Sequence, residues 1–141
     1  MTRSGMRRSV AAAALAVALV MTGCGSAGED VKNHIRDNYE LVSESGQYAT
    51  YTSDQPVRAV ADAIIGVATP GRDHEDETGR YLGYKDAMVH IEQDDDGGSE
   101  IEVTDPRDGY NRWGAAIIPV WGTYGGSYTS AFSGGGSGFG K

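Results

Sequence analysis

A run of Ala, Val, Leu and Met from Val10 to Met21 ends at Thr22-Gly23-Cys24, and Cys24 is the only cysteine in the chain. A single cysteine cannot close an intrachain disulfide and does not make a cysteine zinc site. The domain that follows therefore folds without a disulfide or a cysteine-bound zinc. The run is also too short to cross a bilayer, which takes ~20 apolar residues. Arg3, Arg7 and Arg8 precede it, and no acidic residue occurs before Glu29. A basic start, an apolar centre and a small residue at the end are the parts of an export signal.

Met21-Thr22-Gly23-Cys24 resembles the lipobox of bacterial lipoproteins, with Met where Leu is commoner. The chemistry suits the residues: small Gly23 admits a peptidase, and the Cys24 thiol can carry a diacylglyceryl thioether. The expected organisation is a signal peptide over 1–23 and a flexible tether over 24–30 (Gly25-Ser26-Ala27-Gly28 at its centre). An α+β domain over 31–121 follows, then a Gly- and aromatic-rich tail over 122–141. A plain secreted chain fits less well, because ordinary cleavage sites lack Cys here. Arg7-Arg8 lacks the usual flanks of a twin-arginine signal, so the general export route is expected.

Charge narrows the partners. Removing residues 1–23 takes three of the twelve basic side chains and none of the twenty acidic ones. A remainder this acidic has no basic stripe for a phosphate backbone, which argues against nucleic acid. It is repelled by anionic head groups, so the membrane partnership is expected to run through acyl chains on Cys24. At ~0.8 kcal/mol per buried CH₂, two long chains retain a small domain.

Val31, Ile35, Tyr39 and Val42 follow a helical spacing behind Glu29-Asp30, with Tyr39–Ser43 equally able to be extended. Gln47–Ser53 has strand composition after a Ser45-Gly46 turn. The clearest element is a stripe of Val57, Val60, Ala61, Ile64, Ile65 and Ala68, with Asp54 placed to cap it, Pro56 just inside and Thr69-Pro70-Gly71 ending it. Residues 71–79 read as a mobile polar loop. Arg80–Tyr84, Ala87–Glu92 and Ile101–Thr104 read as strands, turning at Lys85-Asp86 and at Asp94–Gly98. In this reading Val89, Ile91, Ile101 and Val103 share the face that meets the helix, and Met88, His90 and Glu92 the other. Residues 105–114 hold at most a helical turn around Tyr110, and Pro119 makes 115–121 an edge or docking segment. So much glycine after 122 predicts a disordered tail with exposed aromatics. The fold class is α+β: a small antiparallel sheet packed against one main helix, with a disordered Gly-rich C-terminal tail.

Chemistry-bearing patterns are sparse. Gly135–Lys141 spells a phosphate loop without the strand, the hydroxyl residue or the helix such a loop needs. Glu92, Asp94 and Asp96 begin a calcium-loop pattern that has Val103 at its last ligand position. His34, His74 and His90 have no metal-ligand spacing, so no metal, cofactor or catalytic residue is assigned. His90 reads as a half-exposed partner of Tyr or Glu; only a concave pocket where it faced Glu92 or Glu102 would suggest catalysis. Tyr110, Trp113 and Trp121, with Tyr124 and Tyr128, are the candidate contacts for an envelope partner, against the plainer reading of core residues.

Taken together, Tyr48–Asp54, Pro56–Ala68, Arg80–Tyr84, Ile101-Glu102-Val103 and the terminal GGGSGFGK resemble a family of uncharacterised Gram-positive lipoproteins, a domain of unknown function, over Val31–Lys141. The resemblance implies a monoderm host and an extracytoplasmic, membrane-tethered place, and it supplies no active-site residue. The expected role is a non-enzymatic interaction or accessory module of the envelope. The alternatives are a small ligand-binding or hydrolytic domain, or a polyamine- or cation-sensing lipoprotein.

Overall fold

The computed structural model describes residues 26–129 and Phe132. Helix α1 (Ala27–Asn38) leads into strands β1 (Glu40–Ser45) and β2 (Tyr48–Ser53), then helix α2 (Val57–Val67). Strands β3 (Arg72–Asp76), β4 (Gly79–Gly83), β5 (Met88–Gln93) and β6 (Ser99–Thr104) follow. Helix α3 (Pro106–Trp121) and a π-helical turn (Tyr124–Tyr128) complete the described chain. The strands form one antiparallel sheet in the order β1-β2-β6-β5-β4-β3.

The α+β class and the antiparallel sheet agree with the sequence reading. One face carries the expected apolar core: Val60, Ala61 and Ile64 of α2 and Val31 and Ile35 of α1 lie on Leu82, Val89, Ile91, Ile101 and Val103. Each such aliphatic side chain contributes roughly 1.5–3 kcal/mol on full burial. The other face is covered by α3 through an aromatic core of Tyr81, Met88, Tyr110, Trp113, Ile117, Trp121 and Tyr128.

Several expectations are corrected. The tether is shorter than 24–30, because α1 begins at Ala27. Ser26 caps it by accepting from Glu29 N, and its hydroxyl donates to Asp86 in the β4–β5 turn. Gly28 makes that approach feasible, since a Cβ there would collide with the Asp86 carboxylate. Asp54 does not cap α2, whose N-cap is Pro56 with no side-chain hydrogen bond. Residues 71–79 are not a loop but the edge hairpin β3–β4. Asp76 accepts from Thr78 N across its turn, and Arg80 reaches back to Asp73 (2.7 Å) and Glu75 (3.2 Å). The alternation of the edge strand was hidden because both of its faces are polar.

Residues 105–121 form one helix rather than a turn and an edge segment. Pro119 lies near its end and is exposed, as is Ala115, whose carbonyl loses the usual i+4 donor. Tyr110 Oη donates to Gly122 O at 2.9 Å, although twelve residues of straight helix span ~18 Å, so α3 bends as proline predicts. The domain also runs past 121. Tyr128 is 1% exposed and donates to Tyr84 O at 2.6 Å, and Phe132 packs beside it, so these aromatics are not tail. Residues 133–141, with the GGGSGFGK stretch, lie outside the described residues.

Candidate functional site

Antiparallel register places one residue from every strand in a single row under α3. The row is Ser43, Thr50, Glu102, His90, Tyr81 and His74, in the order β1-β2-β6-β5-β4-β3. Opposite residues in such a row touch directly, and here the contacts are polar or aromatic. Ser43 and Thr50 share a hydroxyl hydrogen bond of 2.8 Å. His90 Nδ1 meets Glu102 Oε2 at 2.7 Å. The Tyr81 ring stacks on His90 with centroids 4.3 Å apart and on His74 at 6.1 Å.

Both ring nitrogens of His90 are committed, because Nε2 lies 2.8 Å from Thr78 O. A carbonyl oxygen only accepts, so Nε2 donates to Thr78 O, and with Glu102 ionised Nδ1 donates as well, an arrangement that favours the imidazolium. Burial depresses the charged form, but the hydrogen bonds to Glu102 and Thr78 O and the Glu102 charge outweigh it, and the pKa rises above its ordinary 6.5. Glu102 is the mirror case. Burial would raise it, yet His90, Tyr48 and Arg112 hold it below 4.5. Gly79 permits the Thr78 contact: its φ is +127°, and a Cβ there would strike Ile91 O and the His90 ring.

Further groups close the centre. Tyr48 Oη donates to Glu102 Oε1 at 2.5 Å, and burial together with Glu102 pushes its pKa up to about 12, so it stays a neutral donor. The Arg112 guanidinium lies over the Tyr48 ring at 3.6 Å and is bonded to Asp108 at 2.6 Å. Trp113 covers His90 at 5.3 Å. The His90–Glu102 pairing is thus present, but under a filled face, and His90 is 4% exposed rather than half-exposed. Alternation could have paired His90 with Glu102; nothing local marked Tyr48 and Arg112.

The candidate partner contacts are also corrected. Tyr110 and Trp113 are each 9% exposed and Trp121 is 4% exposed, all within the aromatic core. Cys24 lies outside the described residues. A groove of about 730 Å³ opens at the other end of the sheet and is lined by His34, Asn38, Glu40, Asp54, Asp94 and Asp96 among others. There Asp94 Oδ1 accepts from Asp96 N and Gly98 N, which makes the calcium-like stretch a self-satisfied turn. Among the described residues no three His, Cys, Asp or Glu side chains are grouped to hold a metal. Nor is any helix among them long and apolar enough to cross a membrane.

The model of a family described as a domain of unknown function (DUF4247) matches residues 16–139, reaching further toward the N-terminus than the expected Val31. No curated protein and no solved structure matches the chain significantly.

Proposed function

This chain belongs to the DUF4247 family, a domain of unknown function, and from that premise we propose that it is a lipid-anchored, extracytoplasmic accessory module of the cell envelope. Its anchor is the diacylglyceryl group on Cys24, and it works by binding a partner rather than by catalysis. The observation that carries the non-enzymatic reading is the closed state of the buried His90–Glu102 pair. Both nitrogens of His90 and both oxygens of Glu102 are engaged by protein groups, beneath Trp113. A general base needs a lone pair aimed at a substrate, and this pair has none to offer.

Two features support the anchored reading. The family match passes through Cys24 into the apolar run. The cap of the first described helix is Ser26, two positions along the chain from Cys24. The mass of the N-terminal peptide from the membrane fraction tests this: Cys24 as first residue, carrying the lipid, is the expected result. A Cys24→Ser variant should leave the membrane fraction for the medium. An unmodified thiol at Cys24 in the native product would overturn the proposal.

The acidic groove favours a second reading, capture of a small cation. Calorimetry with calcium or spermidine at moderate salt tests it, and heat that vanishes with modest salt would mean diffuse charge attraction only.

A further inference from the structure

We propose that the domain stands on the lipid surface in one orientation, with the end that carries Ser26 and the Lys85-Asp86 turn facing the membrane and the acidic end facing away. This rests on the lipid-anchored reading above and adds to it a membrane-facing surface.

Chain direction separates the two ends of the sheet. At one end lie the turns 46–47 and 84–87, the link 68–71, Asp105 and the start of α1. At the other lie the end of α1, the link 54–56 and the turns 77–78 and 94–98. Strands of six residues separate these ends by ~20 Å.

The charges are not shared evenly. The connections at the far end contain Asp54, Glu77, Asp94, Asp95 and Asp96 and no basic residue. On the sheet beside them Glu92 faces Glu100 directly, like charge to like charge. At the near end the first turn of α1 carries exposed Glu29 and Asp30, and Lys85 stands against Asp86 and Asp105. Both of these acids are occupied at helix N-termini: Asp86 with Ser26 at α1, and Asp105 capping α3.

The clasp converts a tether into an orientation. Ser26 is held to Asp86, and the carboxylate sits at the positive end of the α1 dipole. Two residues reach at most ~7 Å, so the near end cannot leave the vicinity of the acyl chains. An inverted domain would press five carboxylates, with no basic residue in the same connections, within the ~8 Å Debye length of an anionic bilayer, whereas the upright one holds those five beyond it and brings up Glu29 and Asp30 together with Lys85.

The test uses the full lipidated protein in phosphatidylcholine–phosphatidylglycerol vesicles that carry a head-group energy acceptor. A cysteine is introduced at exposed Thr69, near end, or exposed Asp95, far end, and labelled with a fluorescent donor; the acylated Cys24 sulphur does not react. Transfer several-fold more efficient from Thr69→Cys than from Asp95→Cys is the expected result. Releasing the clasp by Asp86→Ala, which removes the acceptor of the Ser26 hydroxyl, should bring the two closer together. Equal transfer, or stronger transfer from Asp95→Cys, in protein whose mass shows the lipid would overturn the orientation and leave the anchor standing. A preparation in which Cys24 carries no lipid would overturn both.

Discussion

Two neighbouring rows of the sheet solve the same packing problem in opposite ways. Leu82, Val89, Val103 and Ala49 lie side by side on β4, β5, β6 and β2 and pack in the apolar core. One residue along each strand, Tyr81, His90, Glu102 and Thr50 point to the other face and meet rings, charges and hydroxyls. The first row is non-directional, and any aliphatic side chains of similar volume would serve. The second is directional, since each group has a named partner and losing one strands another. The sheet thus rests its stability on hydrocarbon on one side and its register on the other.

The largest test of that contrast sets two adjacent residues of β6 against each other. Glu102→Ala leaves a buried imidazolium and the Tyr48 hydroxyl without their acceptor, and should cost about 3–5 kcal/mol. Ile101→Val on the opposite face removes one methyl group and should cost about 0.5–1.5 kcal/mol. Urea unfolding of both variants measures the gap. Equal losses would mean that the charged row bears no more than the hydrocarbon row. Replacing the pair together, as His90→Leu with Glu102→Met, should recover much of the Glu102→Ala loss, because a buried pair is dearer to break than to exchange.

A weaker effect is expected with pH. His90 has a raised pKa in the fold, so its contribution is complete below its ordinary 6.5 and is lost as pH rises through the raised value. Glu102 has a lowered one, so its contribution is complete above 4.5 and is lost as pH falls through the lowered value. The pair therefore contributes most between those two ordinary values. Stability should decline above pH 6.5 in the native chain, and His90→Gln should flatten that decline while Ile101→Val leaves it in place. A native profile with the slope of His90→Gln would show that the imidazolium is not held.

The hydrocarbon side was legible in the sequence because its signal is periodic. The α2 stripe and the alternation of Val89, Ile91, Ile101 and Val103 each name a face without knowledge of the partner. The directional side was only half legible. Alternation puts His90 and Glu102 on one face, but Tyr48 comes from a strand that enters next to β6, and Arg112 from a helix that Gly109, Gly114 and Pro119 disguised. Where a residue's role is set by a contact far along the chain, local composition misleads. Tyr128 sat in a glycine-rich stretch and is nevertheless buried under Tyr84. β3 was missed for a related reason: an edge strand with two polar faces has no apolar period to detect.

The smallest effect separates the ring of Tyr48 from its hydroxyl. Arg112 is partly exposed, so its stacking on that ring should contribute about 0.5–1 kcal/mol. Its bond to Asp108, four residues earlier on α3, adds about 0.3–0.5 kcal/mol. Arg112→Ala removes both in any background. In a Tyr48→Phe background the ring remains, so Arg112→Ala should cost as much as it does in the native chain. In a Tyr48→Leu background the Asp108 bond and the attraction to Glu102 remain to be lost, and the cost should fall by the stacking share. If the cost is the same in all three backgrounds, Arg112 acts through Asp108 and the Glu102 charge, and its stacking on the Tyr48 ring does not help fasten α3 to the charged row.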